Sequence, residues 1–223
     1  MSIGIVLRSH AFSVTALKSL WDQVKIDHGV LVLSPTSDGD EHFDEDLIEV
    51  MGPRLDIVRQ QDFGWASALN AGFRRHAART AVPDLVLCVS PDALPTPSCV
   101  QSMTAALRDW SASCAFPSYG RSELSYTVPR NTCCMWPSKL ISGLGYFDES
   151  LDAGQGMEDY EFALRAFADR GHVPRRVNHV VNLRTRHGHA FEQTTARESI
   201  QMRMIDAKYS PETVSQFRGL LQV

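Results

Sequence analysis

Short apolar runs alternating with helix-period stretches restrict this chain more than any other feature. IGIVLRSH (3–10), GVLVLSP (29–35), RLDIVRQ (54–60) and DLVLCVS (84–90) have strand length and little polar alternation, so each reads as a strand covered on both faces. Between the first two, Val14, Leu17, Leu20, Trp21 and Val24 recur at helical spacing. Between the last two, Ala66, Leu69, Asn70, Phe73 and Ala77 do the same. Strand, helix, strand repeated in this order calls for a mostly parallel, Rossmann-type sheet flanked by helices, with ligands at the carboxyl ends of its strands. After a helix over about Val100 to Trp110 the rhythm changes. CAFPSY, LSYTV and TCCMW are short and close together, which predicts a small antiparallel extension beside the sheet. A helix from about residue 158, a strand near VNHVVNLR (177–184) and a helical tail packing Ile200, Met204, Ile205 and Tyr209 on one face complete the expected α/β elements.

A chain of 223 residues fits one large domain, burying roughly 70% of its unfolded surface. No apolar run approaches the ~18 residues of a membrane span, and MSIGIVLRSH reads as a first strand, not a signal peptide. Five cysteines without CxxC spacing argue against a disulfide framework or zinc knuckle, so the expected location is a reducing cytoplasm, free or peripheral to a membrane. The net charge of −4 conceals a division. Acids crowd residues 38–49, whereas Arg165, Arg170, Arg175, Arg176, Arg184 and Arg186 crowd a late segment with His172, His187 and His189. Such runs are usually solvated faces; the late one could also attract an anionic substrate.

The chain has neither GxGxxG after a strand nor GxxxxGK[ST], HExxH or GxSxG, which removes the commonest dehydrogenase, P-loop, zincin and hydrolase readings. Three candidates remain. Asp92 follows a strand in VSPDALPTP, where flanking prolines stiffen the turn. His187 and His189 form an HxH pair with metal-binding chemistry. In GQGMEDYEFALRA (154–166), two glycines lead into Glu158 and Asp159 at the start of a helix with Tyr160, Ala163, Leu164 and Phe167 on one face. Acids in a first turn complement the helix dipole, and the same acids can accept a substrate proton.

Taken in order, DFGWASALNAGFRRHA (62–77), DLVLCVSPDALPTP (84–97) and SGLGYFDESLDAGQGMEDYEFALRAFADRG (142–171) resemble the three signature regions of the family 2 glycosyltransferases, inverting enzymes with a GT-A fold. The resemblance runs from IGIVLRSH to about residue 190. It implies one GT-A domain over 1–223: a nucleotide-binding part over about 1–120, an acceptor and catalytic part over about 121–192, and a helical tail over 193–223. It further implies metal-assisted transfer from a nucleotide-diphosphate sugar to an acceptor hydroxyl. Asp92 matches the acid that holds Mn²⁺ or Mg²⁺, although Ser90-Pro91-Asp92 replaces the common D-x-D. His189, or else His187, completes the metal site. Asp159 matches the general base, with Glu158 as supporting acid. Arg8, Ser34, Asp62, Asn70, Gly72, Ser90, Pro91 and Asp92 form the expected donor-binding set. Ser34 and Pro35 stand where relatives often carry an acid that reads uracil. The implied donor is a UDP- or dTDP-sugar. The acceptor is a saccharide or lipid-linked saccharide, ahead of modified nucleic acid or protein.

Two other classes compete. A nucleotidyltransferase of related fold typically needs a glycine-rich loop after the first strand, and RSHAFSV contains no glycine. A non-catalytic nucleotide-sugar or carbohydrate-binding protein would keep the fold and lose the chemistry.

Overall fold

Seven buried or half-buried strands, interleaved with helices, assemble into one sheet in the computed structural model, which describes residues 1–8, 14–33, 49, 51–60, 64–90, 93–120, 129–154, 157–182 and 200–221. In chain order the elements are β1 (Ile3–Arg8), α1 (Val14–Val24), β2 (His28–Leu33), β3 (Leu55–Arg59), α2 (Trp65–Ala77), β4 (Leu85–Val89), α3 (Pro97–Ala106) and β5 (Ala112–Gly120). They continue with β6 (Cys133–Pro137), α4 (Ser138–Leu144), a 3-10 segment (Glu149–Gly154), α5 (Glu158–Arg170), β7 (Val173–Asn182) and α6 (Pro211–Leu221). The first four strands and their helices fall where the apolar runs place them.

The strand order is β3-β2-β1-β4-β6-β5-β7. β1 pairs in parallel with β2 and β4, β2 with β3, and β5 with β7, while β6 runs antiparallel to both β4 and β5. The expected antiparallel element is β6, which adjoins the parallel block β3-β2-β1-β4. β6 lies between β4 and β5, and CCMWP is buried along its whole length. LSYTV lies outside the described residues. This placement matters for the site: Val89, at the carboxyl end of β4, pairs with Cys133, at the amino end of β6. Residues that precede β6 thus arrive at the sheet edge where β1 and β4 end.

Close packing of backbone on side chain locks the layers. Gly29 of β2 lies under Trp21 of α1, and a Cβ there would come within 2.6 Å of the indole. On the other face, Trp136, Phe147 and Phe162 pack at centroid distances of 5.0–5.4 Å, with Phe73 of α2 5.8 Å from Phe147. α5 is buried from Glu158 to Leu164, well beyond the single apolar face its pattern suggests, because the sheet, the 3-10 segment and the C-terminal helices enclose it. The tail differs from expectation as well. Ile205 is buried with Phe217 and Leu221, but Ile200 and Met204 are 59% and 67% exposed. What anchors this region is polar as much as apolar: Tyr160 donates to Asp206 Oδ1 at 2.7 Å, and Arg218 pairs with Asp206.

Gly72 of α2 rests on β1, and a Cβ there would lie 2.6 Å from Val6 Cγ1. Alanine in a helix interior normally stabilises relative to glycine by up to ~1 kcal/mol. Here overpacking reverses the sign: urea unfolding of Gly72→Ala is expected to show a loss of about 1–3 kcal/mol.

Candidate active site at the start of α5

Met157 precedes α5 with φ +75°, a left-handed conformation uncommon for a residue with a Cβ. Held there by its own burial, it turns the chain so that Glu158 and Asp159 enter the protein rather than solvent, and each is only 3% exposed. The third acid of this turn, Glu161, is engaged by Arg165 at 3.1 Å and by the Tyr209 hydroxyl at 3.2 Å. It belongs to the packing of the helix.

One residue meets both acids. Asn131, just ahead of β6, donates its backbone N–H to Asp159 Oδ2 at 2.9 Å and its amide Nδ2 to Glu158 Oε1 at 3.2 Å. The Tyr160 N–H donates to Asp159 Oδ1 at 2.8 Å. Burial, reinforced by the neighbouring Asp159 charge, pushes the Glu158 carboxyl up to about 8, while Asn131 and Arg130 oppose the rise. Two adjacent carboxyls with different environments are the raw material for proton transfer near neutral pH.

Arg8 ends β1 and lies with its guanidinium carbon 3.6 Å from the centre of the Trp65 ring. Burial pulls its pKa down to about 10, and the charges of Glu158 and Asp152 work against that fall. It remains a cation at neutral pH beside the acids. Ser90, past the end of β4, donates its N–H to Thr132 O at 2.9 Å. Its Oγ is buried without a hydrogen-bond partner among the described residues. The carboxyl ends of β1 and β4 and the lead-in to β6 therefore bring together a cation, a hydroxyl and two acids.

Other donor-site candidates support this site from behind. The Asn70 side chain is 1% exposed and fully spent: Nδ2 donates to Phe147 O at 2.9 Å and Glu149 Oε1 at 2.8 Å, and Oδ1 accepts from Phe147 N at 3.0 Å. It ties the segment leading to the acid pair onto α2. Gly72 serves the same packing against Val6. Asp152 makes a second tie by accepting the Ala66 N–H at 2.6 Å and the Ser67 N–H at 2.9 Å, so a protein carboxylate already closes the amino end of α2. In the late basic cluster, Arg165 and Arg170 donate to the carbonyls of Leu144, Tyr146 and Gly143, whereas Arg175 and Arg176 are exposed on β7. Ser34, Asp62, Pro91, Asp92, Arg184, Arg186, His187 and His189 lie outside the described residues.

Asn131, Trp65 and Asp152 are residues of the candidate site that sequence reasoning passed over. Nothing local marks them, since Asn131 meets Asp159 across 28 positions and Asp152 meets α2 across 85 or more. For a metal, the described residues contain no group of three His, Cys, Asp or Glu side chains placed to hold an ion. The described donors alone do not make a metal site.

Neither the protein-family models nor the curated proteins contain a match to this chain. Solved structures do match. TarS 1-349 of S. aureus superposes with a TM-score of 0.53 at 14% identity, covering 82% of this chain and 58% of that one. The same protein with UDP gives 0.54. The chain has a GT-A-type fold. GalNAc-T7, solved with UDP, GalNAc and Mn²⁺, gives 0.60 at 12% identity over 82% of this chain and 42% of that one. A putative glucose-1-phosphate thymidylyltransferase from Bacillus anthracis, in complex with a sucrose, gives 0.55 at 11% identity over 81% of this chain and 88% of that one. The chain thus spans about half the length of the two glycosyltransferases, and the fold it shares with all three serves both sugar transfer and nucleotidyl transfer.

Glu158 gives the site a measurable signature. Its folded-state pKa lies above its unfolded value, so the stability it allows is complete below about 4.5 and is lost as pH rises through about 8. Thermal unfolding across pH 5–9 is expected to show Glu158→Gln gaining on the parent as pH increases, with the difference largest above pH 8; parallel curves would mean that Glu158 titrates normally.

Proposed function

We propose that this protein transfers a sugar, with inversion, from a nucleotide-diphosphate donor to an acceptor hydroxyl. The observation that carries the reading is the buried acid pair near the carboxyl ends of β1 and β4, beside the Arg8 cation. It is supported by the GT-A-type fold and by the UDP seen in two of the similar structures. In this reading Asp159 takes the acceptor proton during a single in-line displacement, and Glu158 supports it by keeping a second carboxyl of raised pKa alongside. Arg8, braced on Trp65, stabilises negative charge developing on the leaving diphosphate. Ser90 offers its hydroxyl at the end of β4. The donor is a UDP- or dTDP-sugar, and the acceptor a saccharide or lipid-linked saccharide.

A divalent ion, Mn²⁺ or Mg²⁺, belongs to the proposal through Asp92 with His189 or His187, and would offset charge on the diphosphate when bound. Nucleotidyl transfer is the second reading, favoured by the thymidylyltransferase likeness, which covers most of that chain. The lack of glycine in RSHAFSV counts against it.

Asp159→Asn tests the assignment. Both Asp159 oxygens accept backbone N–H groups, and an amide can accept only one of them, so a stability loss of about 1–3 kcal/mol is expected. Below the unfolding range, donor binding should persist while transfer at saturating donor falls by ~10²–10⁴. Glu158→Gln is the comparison: a larger loss there would move the base role to Glu158. Release of pyrophosphate instead of nucleoside diphosphate by the parent would favour the second reading.

A further inference from the structure

We infer that Asn131 is the positioning residue of the acid pair and that Trp136 holds it in register. The inference deepens the glycosyl-transfer reading and rests on it for its catalytic consequence. Asn131 is 3% exposed, and its side chain stands between two groups of different character. Its Oδ1 accepts from Trp136 Nε1 at 2.8 Å, and its Nδ2 donates to Glu158 Oε1 at 3.2 Å. An amide oxygen and nitrogen are interchangeable in shape, so something must choose between the two orientations. The indole N–H chooses, because it donates and never accepts. With Oδ1 committed to Trp136, only the NH₂ group can face Glu158.

Trp136 is itself immobilised. It lies edge-on to Phe147 at 5.4 Å and to Phe162 at 5.3 Å, and it belongs to β6, which is clasped between β4 and β5. The chain of support runs from the aromatic core through the indole to the amide and on to the carboxyl. Asn131 acts on both acids, since its backbone N–H holds Asp159 Oδ2 at 2.9 Å. It therefore sets the distance between the two carboxyls as well as the orientation of one. A protonated carboxyl accepts best through its carbonyl-type oxygen. The Asn131 amide therefore keeps Oε1 unprotonated and leaves the Glu158 proton on Oε2.

The groups that act on Glu158 come from several elements: Asp159 from its own helix, Arg130 from the lead-in to β6, and Arg8 from β1, which also feels Asp152. Cys88 of β4 senses both acids, and burial pushes its thiol far up, so it remains neutral. Against that background the Asn131 donor favours the ionised form of Glu158. Its removal raises the proton affinity further.

The test is a site-resolved carboxyl titration by carbon NMR on the full chain, with Glu158→Gln used to assign the resonance. In Asn131→Ala the Glu158 midpoint is expected to rise by about one pH unit. Trp136→Phe keeps most of the ring packing and deletes the N–H; it is expected to shift the midpoint in the same direction by less, so the inference stays testable if the first variant unfolds. An unchanged midpoint in the folded variants overturns the positioning role. A rise in Asn131→Ala with none in Trp136→Phe overturns the part given to Trp136. With a nucleotide sugar as substrate, the alkaline limb of kcat should move upward with the NMR midpoint while KM for the donor holds; a uniform fall in kcat at every pH would mark Asn131 as merely structural and overturn its catalytic consequence. A parent that turns over no nucleotide sugar would defeat the glycosyl-transfer reading, and the NMR shifts would still decide whether Asn131 positions Glu158.

Discussion

Two neighbouring carboxyls taken out of water set the terms for this half of the molecule. An isolated buried charge is costly unless partners replace its hydration, and Glu158 and Asp159 draw most of theirs from far along the chain. Asn131 supplies two donors, Tyr160 a third, and Arg8 the opposing charge. For Asn131 to be there at all, β6 must run against its neighbours inside an otherwise parallel arrangement, so that its amino end meets the carboxyl end of β4. A parallel strand in that position would deliver Asn131 to the opposite edge. The reversal of one strand is thus the structural condition for the acid pair.

The approach to the pair is fixed just as firmly. Asn70 and Asp152 bind the stretch from Phe147 to Asp152 onto α2, and the left-handed Met157 then redirects the chain into α5. These residues touch the site only through others, yet they determine where it is. The far edge of the sheet shows a different use of buried polar groups. There His28 and His76 pack edge to face at 5.4 Å, and burial holds His76 neutral with its pKa down at about 4. Beside them Asp56 is held by Arg75 and Arg79, a surface ion-pair network rather than a buried pair of acids.

Much of this was legible in the sequence, for reasons that can be stated residue by residue. β1 to β4 and their helices are local patterns, and DLVLCVS or Leu17-Leu20-Trp21 carries enough period and burial to declare itself. The acid pair was legible as a candidate because two carboxylates ahead of an apolar helix face invite explanation. The position of β6 was not, since CCMWP specifies a fully buried strand without specifying its neighbours. Asn70 illustrates the limit well: a polar residue on the apolar face of α2 signals a buried role, but its partners lie 77 and 79 residues away. Ile200 and Met204 failed differently, because apolar spacing in a short tail helix does not guarantee that anything covers it.

The central claim is that a nucleoside diphosphate binds where the carboxyl ends of β1 and β4 meet the start of α5. Amide chemical-shift mapping with UDP and with dTDP, each with Mg²⁺, tests it most directly. The account predicts saturable shifts concentrated at Arg8, Trp65, Ser90, Asn131 and Glu158 for one or both nucleotides, with His28 and His76 unmoved. Shifts centred on His28 and His76, or none with either nucleotide at millimolar concentration, would contradict it.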